Sequence, residues 1–245
     1  MRCFNQIILP LACALLLSAC VERPLNNQRA ARNQEDILLR SGNHSGLIAF
    51  YRSQLRNKDD PQVRLKLAQY YYQRGDYPSS LNVLRPLDNG PDPQVSLLRI
   101  KNSIALKDYA QALRITDSIM LREPDNVDAW NLRGIALALS GRREEGRQAV
   151  EHARTLFIAD EIALNNLAVI AMMEQRYQQA VALLLPQYLA GRKQARLLHN
   201  LVLSLVKTGD RRYARAIIDN ERLTDRPDAL LDALTQLAPE LEEKV

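Results

Sequence analysis

The stretch Asp125-Asn-Val-Asp-Ala-Trp-Asn-Leu-Arg-Gly-Ile-Ala-Leu-Ala-Leu-Ser-Gly-Arg-Arg-Glu-Glu-Gly146 is the clearest copy of a unit that recurs along almost the whole chain. With Val127 numbered 1, small residues stand at positions 8, 15 and 20 of this copy, as Gly134, Gly141 and Gly146. Windows beginning at Pro61, Pro93, Glu161 and Ala195 repeat the pattern, with successive starts 32, 34, 34 and 34 residues apart. The sequence therefore predicts five copies of one structural unit over 61–224.

Small residues mark where two helices of each unit approach closely. Position 20 is small in every window, as Ser80, Ala112, Gly146, Ala180 and Ala214. Position 15 is glycine in three windows and Lys107 or Gln175 in the other two, and a left-handed residue just past a helix end is expected there. A period of 34 with a helix-turn-helix in each unit resembles the tetratricopeptide repeat family. The resemblance implies an all-α, right-handed superhelical solenoid with capping helices at its ends.

Helix starts are predicted at the beginning of each window. Asp60-Pro61 and Asp92-Pro93 place a capping acid before a proline, which suits the first helical position. Asp125-Asn126 and Asp160-Glu161 offer the same capping chemistry without proline, whereas residues 191–194 before the fifth window contain no acid.

The chain begins with an apolar run that has the length of a secretory signal, so 1–19 is interpreted as a signal peptide. It ends in Leu17-Ser18-Ala19-Cys20, which resembles the lipobox of bacterial lipoproteins. That resemblance implies cleavage before Cys20 and a lipid on its sulfur. The alternative is a plain signal peptide with an incidental cysteine. Cleavage would remove Cys3 and Cys13, and no cofactor other than the lipid is expected.

The rest of the chain divides by composition. Residues 20–36 are polar and are expected to be a tether whose second part enters a helix. Residues 37–60 are interpreted as a degenerate N-terminal repeat, and 225–245 as a capping helix with an acidic tail. Val21, rather than aspartate, follows the cysteine, so the lipoprotein resemblance implies the periplasmic face of the outer membrane.

Composition and motifs favour a binding role over catalysis. The 33 basic and 28 acidic residues give too mild an excess to indicate nucleic-acid binding. The three histidines lack a metal-binding spacing, and neither a nucleophile elbow nor a phosphate-binding glycine loop is present. We therefore expect no enzyme and no metal site. Basic residues cluster near the turns within repeats, either for solubility and helix-end charge or as a ridge for an acidic partner or anionic lipid.

The stacked first helices are expected to line a concave groove. In this repeat family positions 2, 5, 6, 9, 12 and 13 of the first helix tend to face it. The candidate partner-binding residues in the last three repeats are Asn131, Ile135, Asn165, Val169, Met172, His199 and Leu203. Amide and imidazole groups beside apolar rows suit a bound peptide. Asn166 and Asn200 at position 6 resemble the asparagines of carboxylate-clamp repeats, without the full basic pattern. The alternative for any of these residues is a place in the core between repeats.

Two segments, Leu164–Val169 and Leu198–Asp210, together with the turn Arg176–Ala180, resemble the C-terminal half of the TadD family. That resemblance implies an outer-membrane tetratricopeptide lipoprotein of tight-adherence (Flp) pilus assembly, a pilotin-like helper whose partner is the secretin or another pilus-assembly component. One alternative is a periplasmic adaptor that recruits cell-wall hydrolases or other envelope assembly factors. The other is an enzyme with an unrecognised polar cluster in the groove.

Overall fold

The computed structural model describes residues 24–88, 90 and 92–237, with side chains from residue 29 onward. Cys20, the signal peptide and the acidic tail lie outside these residues. The described part folds into thirteen α-helices and one short 3₁₀ turn, Arg85–Leu87. In chain order, α1 to α13 are Pro24–Arg40, His44–Asn57, Pro61–Gln73, Tyr77–Leu84, Pro93–Ala105, Tyr109–Met120, Val127–Leu139, Arg143–Thr155, Asp160–Met173, Tyr177–Leu189, Ala195–Lys207, Arg211–Glu221 and Pro227–Gln236.

Contacts divide the chain into two units between Val63 and Arg64. In the first unit α1 packs against α2, and the Tyr51 hydroxyl donates to Glu35 Oε1 at 2.7 Å. Asn43 caps α2 by accepting from the backbone N–H of Gly46. The polar segment that composition indicates as a tether is helical from Pro24 onward. Its Asn, Gln, Arg and Ala residues contain no glycine or internal proline, and proline suits a first helical position.

The repeats lie in the second unit apart from the first three residues of α3, and their helix pairs follow the predicted windows. First helices begin at Pro61, Pro93, Val127 and Ala195, as expected, and α9 begins at Asp160, one residue early. Consecutive helices from α4 to α13 pack in order. The first helices of neighbouring repeats also contact each other: α5 with α7, α7 with α9, and α9 with α11. Helix α13 packs on both α11 and α12. The prediction of an all-α tetratricopeptide repeat solenoid with a C-terminal capping helix is confirmed.

The apolar core of this unit is a series of local clusters. One links α3, α4 and α5, a second links α5 to α7, a third spans α7 to α10, and a fourth spans α9 to α13. Each repeat therefore contacts only its neighbours, as in other solenoids.

Position 20 explains the close helix pairs. Ser80, Ala112, Ala180 and Ala214 are fully buried, and a Cβ added to Gly146 would lie 2.7 Å from the carbonyl oxygen of Gly134. Such a contact can be relieved only by moving the backbone. Helices α7 and α8 therefore approach more closely than any residue other than glycine would allow at this position.

Position 15 is left-handed in all five repeats, as predicted. The φ angles are +76° at Gly75, +61° at Lys107, +90° at Gly141, +58° at Gln175 and +89° at Gly209. Lys107 and Gln175 adopt this conformation at a cost that glycine avoids. The turn geometry is therefore set by the helix pair and imposed on whichever residue stands there.

Side-chain caps occur at most of the expected helix starts. Asp60, Asp92 and Asn126 each accept a backbone N–H from the first turn of the helix that follows. The prediction for Asp160 is wrong, because α9 has Ala159 at its cap and no side-chain cap. The Asp160 carboxylate instead accepts from Arg154 Nε at 2.6 Å, and that hydrogen bond lowers its pKa.

Candidate functional site

Asparagine side chains join the first helices of the last three repeats. Asn166 Nδ2 donates to Asn131 Oδ1 at 2.7 Å, and Asn200 Nδ2 donates to Asn165 Oδ1 at 3.0 Å. Each bond runs from position 6 of one repeat to position 5 of the preceding repeat. We call these two bonds the amide ladder. Its first role is to fasten α7, α9 and α11 side by side.

The amide ladder retains hydrogen-bonding capacity for a ligand. A carboxamide has two N–H donors and an oxygen with two lone pairs, and each rung uses one donor and one lone pair. Asn131 is only 7% exposed, so its predicted place on the groove surface is corrected, whereas Asn165, Asn166 and Asn200 are half-buried. His199, the last position 5, is exposed and has no following repeat to supply a partner at position 6.

A small pocket opens at the N-terminal ends of α9 and α11. It encloses about 170 Å³, and its lining residues are Glu161, Ile162, Asn165, Asn166, Gln194, Arg196 and Leu197. Drug-sized ligands occupy roughly 300 to 1,000 Å³, so this pocket suits one side chain of a bound polypeptide better than a whole small molecule. The half-buried asparagines of the amide ladder form one wall of it.

One charged side chain at this pocket forms an ion pair and another does not. Glu161 forms an ion pair with Arg192, with 2.7 Å between Oε2 and Nη1. The guanidinium of Arg196 is exposed and has no carboxylate partner among the described residues. Burial raises the pKa of Tyr72 and neighbouring Tyr77 adds to the rise, whereas the charge of Arg196 lowers it. Tyr72 on α3 and Arg196 on α11 therefore lie within electrostatic reach of each other.

The apolar row at position 9 lies where the groove was predicted. Ile135, Val169 and Leu203 are half-buried at the edge of the core clusters. Met172 is only 7% exposed and packs within the core between α9, α10 and α11, so its predicted place on the groove surface is corrected. The next residue, Met173, is half-buried instead. One residue turns a helix by about 100°, which is enough to exchange core and surface.

Four basic residues near the turns within repeats, an edge that we call the basic turn edge, have local carboxylate partners. Arg142 pairs with Glu145, Arg147 with both Glu144 and Glu151, and Arg211 and Arg215 with acids on α12 and α13. These hydrogen bonds lower the pKa of Glu144 and of Glu145. The pairing favours the interpretation of this edge as solubility and helix-end charge.

Two features of the described residues bear on other functions. No cluster of three or more histidine, cysteine or acidic side chains in the described ranges could hold a metal ion. None of the helices in that part of the chain is long and apolar enough to cross a membrane. Of the histidines, His152 packs its ring edge-on against Trp130, with 4.3 Å between ring centroids.

Sequence patterns did not reveal the pairing inside the amide ladder or the pocket at its end. Position 2 reads Gln62, Gln94, Asp128, Ile162 and Arg196 through the five windows. The change from polar residues to an exposed apolar residue and then a cation was the available signal for the pocket. The ladder follows from a spacing of 35 residues, one more than the repeat, between paired asparagines.

No protein-family model matches this chain, and no curated protein matches it in sequence. Among solved structures it is similar to a tetratricopeptide repeat protein from Parabacteroides merdae, with a TM-score of 0.74, 18% identity, and coverage of 88% of this chain and 85% of the other. It is also similar to a thermophilic tetratricopeptide repeat protein of Thermus thermophilus, with a TM-score of 0.55, 17% identity and coverage of 82% and 99%. A third match is the APC/C hetero-tetramer Cut9–Hcn1, with a TM-score of 0.59, 16% identity and coverage of 88% and 43%. The helix pairs, their register and these similarities establish that the chain has the tetratricopeptide repeat fold.

Proposed function

We propose that this protein is a lipid-anchored scaffold that holds a segment of a pilus secretion component in the groove of its last three repeats. In this proposal it is an outer-membrane, pilotin-like helper of the secretin in a tight-adherence (Flp) pilus system. The observation that carries the proposal is the juxtaposition of the amide ladder, the position-9 apolar row and the pocket beside Arg196.

This surface suits an extended polypeptide. The free N–H and C=O groups of the ladder carboxamides can bond the alternating donors and acceptors of a peptide backbone. Ile135, Val169 and Leu203 offer apolar contacts alongside it, and the pocket at the end has room for one side chain. Affinity from such a surface is modest, since only a few side chains are desolvated.

The lipid anchor compensates for the modest affinity of the groove. Confinement to a membrane surface raises the effective concentration of the scaffold for a membrane-bound partner, so modest affinity suffices. The support for the anchor is the tetrapeptide that ends at Cys20, and the support for the outer membrane is Val21 after it.

The resemblance to the TadD family falls on the same helices. Residues 164–210 span most of α9 and all of α10 and α11, which includes one complete rung of the amide ladder. They also include the pocket lining apart from Glu161 and Ile162. Among the fold neighbours, Cut9–Hcn1 is itself an assembly of two proteins. The choice of a pilus system over a cell-wall hydrolase adaptor rests on the sequence resemblance.

The experiment tests the groove without disturbing the ladder. Ile162→Glu with Arg196→Glu changes two exposed side chains of the pocket wall, so the fold should be retained. In the native host we expect lower secretin multimer yield and less secretin recovered with this protein after cross-linking. Leu106→Glu with Arg212→Glu changes an apolar and a basic side chain, both exposed and outside the groove, and should behave as the parent.

Two results would refute parts of the proposal. Normal secretin multimers and normal cross-linking in the pocket variant would exclude the groove as the working surface. Recovery of cell-wall hydrolases instead of secretin with the parent protein would assign it to the adaptor class.

A further inference from the structure

Three large apolar side chains protrude from one edge of the solenoid. Phe157 is 94% exposed, Leu121 is 86% exposed and Leu189 is 68% exposed, the highest values for large apolar residues in the described part of the chain. Each lies within two residues of the C-terminal end of a second helix, α8, α6 and α10 respectively. Because these helices belong to three consecutive repeats, the side chains form a row, which we call the apolar edge.

Phe157 stands at this edge against its own conformational preference. Its φ is +68°, in the left-handed region that bulky residues avoid, and it follows the cap of α8 where glycine is the usual choice. Gly191 fills the corresponding place after α10 with φ +84°. An aromatic ring that is almost fully exposed adds nothing to the core, so folding does not explain its presence.

Most charges near the apolar edge form ion pairs. Arg154 pairs with Asp160, Arg192 with Glu161, and Lys193 with Glu221, at 2.6 to 2.7 Å. Arg122, beside Leu121, donates to the backbone carbonyl of Ser118, which has no charge to neutralise the guanidinium. The edge therefore presents apolar tips among mostly paired charges, with the cation Arg122 beside Leu121.

We propose that the apolar edge inserts its three tips into the surface of a phospholipid bilayer and so lays the anchored solenoid against the membrane. The tips sit singly on separate loops instead of forming one patch. A protein partner would need three separate complementary pockets, whereas a fluid interface accepts isolated apolar side chains wherever they fall. The tips stand at the ends of second helices, whereas the groove is lined by first helices.

The chain contains its own reporter for this contact. Trp130 is the only tryptophan, and its Nε1 donates to the carbonyl of Pro124, in the segment that follows Leu121. Its ring also packs in the cluster that contains Ile158, next to Phe157. The indole therefore lies at the apolar edge, and lipid quenchers reach it only when that edge meets the bilayer.

The test uses the mature chain from residue 20, whose only cysteine, Cys20, is coupled to a maleimide lipid in phosphatidylcholine vesicles. This synthetic anchor makes the result independent of biological lipidation and of any groove partner. With brominated acyl chains we expect Trp130 emission to fall relative to vesicles without bromine, because apolar groups at a membrane surface lie at the boundary between headgroups and acyl chains. Leu121→Ser, Phe157→Gly and Leu189→Ser combined should remove the quenching. Leu106→Ser, at an apolar residue of 43% exposure outside the row and outside the groove, should retain it.

Circular dichroism and urea unfolding would verify that the triple variant is folded. Quenching that is lost in the triple variant and kept in the control supports the proposal. Equal quenching in parent and triple variant, or none in the parent, overturns it. A parent that forms dimers without vesicles, while the triple variant is monomeric, also overturns it, because the edge would then join copies of this chain.

Discussion

Left-handed residues other than glycine are strained points of this fold. At Phe157 the strain is not offset by burial, because the ring is 94% exposed. We expect Phe157→Gly to raise the free energy of unfolding by about 1 kcal/mol, since a left-handed L-residue costs roughly 1 to 2 kcal/mol and glycine loses part of this gain in unfolded-state entropy. Urea unfolding measures the effect, with Phe157→Ala as the control that removes the ring and keeps the strain. A less stable glycine variant would refute this explanation.

Position 20 tests the register of the repeats. Ala180 on α10 is fully buried against its partner helix, whereas Ala182 on the same helix is exposed. Ala180→Leu should lower the free energy of unfolding by about 1 to 3 kcal/mol through overpacking, and Ala182→Leu should leave it nearly unchanged. Equal stability of the two variants in thermal unfolding would mean that Ala180 does not face a helix.

Between helices, the two rungs of the amide ladder should differ in strength. Asn166→Ala strands the Asn131 carbonyl, which is buried, and should cost about 1 to 3 kcal/mol of unfolding free energy. Asn200→Ala strands the half-buried Asn165, where water can replace the lost donor, and should cost less. Urea unfolding of the two single variants gives the order, and the reverse order would contradict the assignment of burial.

Glu221 joins two helix pairs through hydrogen bonds. It accepts from the Tyr188 hydroxyl at 3.1 Å and pairs with Lys193 at 2.7 Å, and the bond from Lys193 is the main cause of its lowered pKa. A depressed carboxyl pKa stabilises the fold above the ordinary glutamate range, and this stability is lost as pH falls through the folded-state pKa. We expect the difference in unfolding midpoint between parent and Glu221→Gln to shrink from neutral pH into the acid range. A difference that grows on acidification would show the opposite sign of coupling.

For the molecule as a whole, the first prediction concerns the anchor. Cys20→Ser should abolish lipid labelling and release the protein from the membrane fraction, because one hydrophobic tip row alone binds a bilayer weakly and reversibly. Membrane fractionation of that variant gives the answer, with the Ile162→Glu and Arg196→Glu variant as a control that keeps the anchor. Unchanged fractionation would refute lipidation at Cys20.

Periodicity was enough to predict most of the solenoid. Helix pairs, small residues at position 20 and left-handed turns at position 15 follow from one backbone geometry repeated, so even Lys107 and Gln175 obey it. Periodicity could not predict details that depend on single side chains. Asp160 bonds Arg154 instead of its helix, and Met172 and Met173 exchange core and surface within one residue. The second part of the polar segment was expected to enter a helix, but α1 begins earlier, at Pro24, because polar composition indicates solvent exposure, not the absence of helix.

The candidate partner-binding residues were predicted from their position in the repeat, but which of them are exposed depends on packing. Asn165 and His199 share position 5, yet the first is tied to Asn200 and the second is exposed beyond the last rung. Whether a position-5 side chain faces solvent or bonds another side chain depends on the repeat that follows it. In the pair Asn165 and Asn200 the two residues are 35 positions apart in the sequence.

A chain of local cores behaves mechanically as springs joined in series, which all bear the same load while the softest stretches most. The junction at α5 encloses Asn102, fully buried with its side-chain oxygen unbonded, whereas α7 and α8 meet backbone to backbone through Gly134 and Gly146. A force on a partner held as proposed should therefore lengthen the solenoid near α5 while α7 and α8 remain in register. The amide ladder lies on the far side of that compliant region, so the proposed binding surface should keep its geometry while the region near α5 stretches.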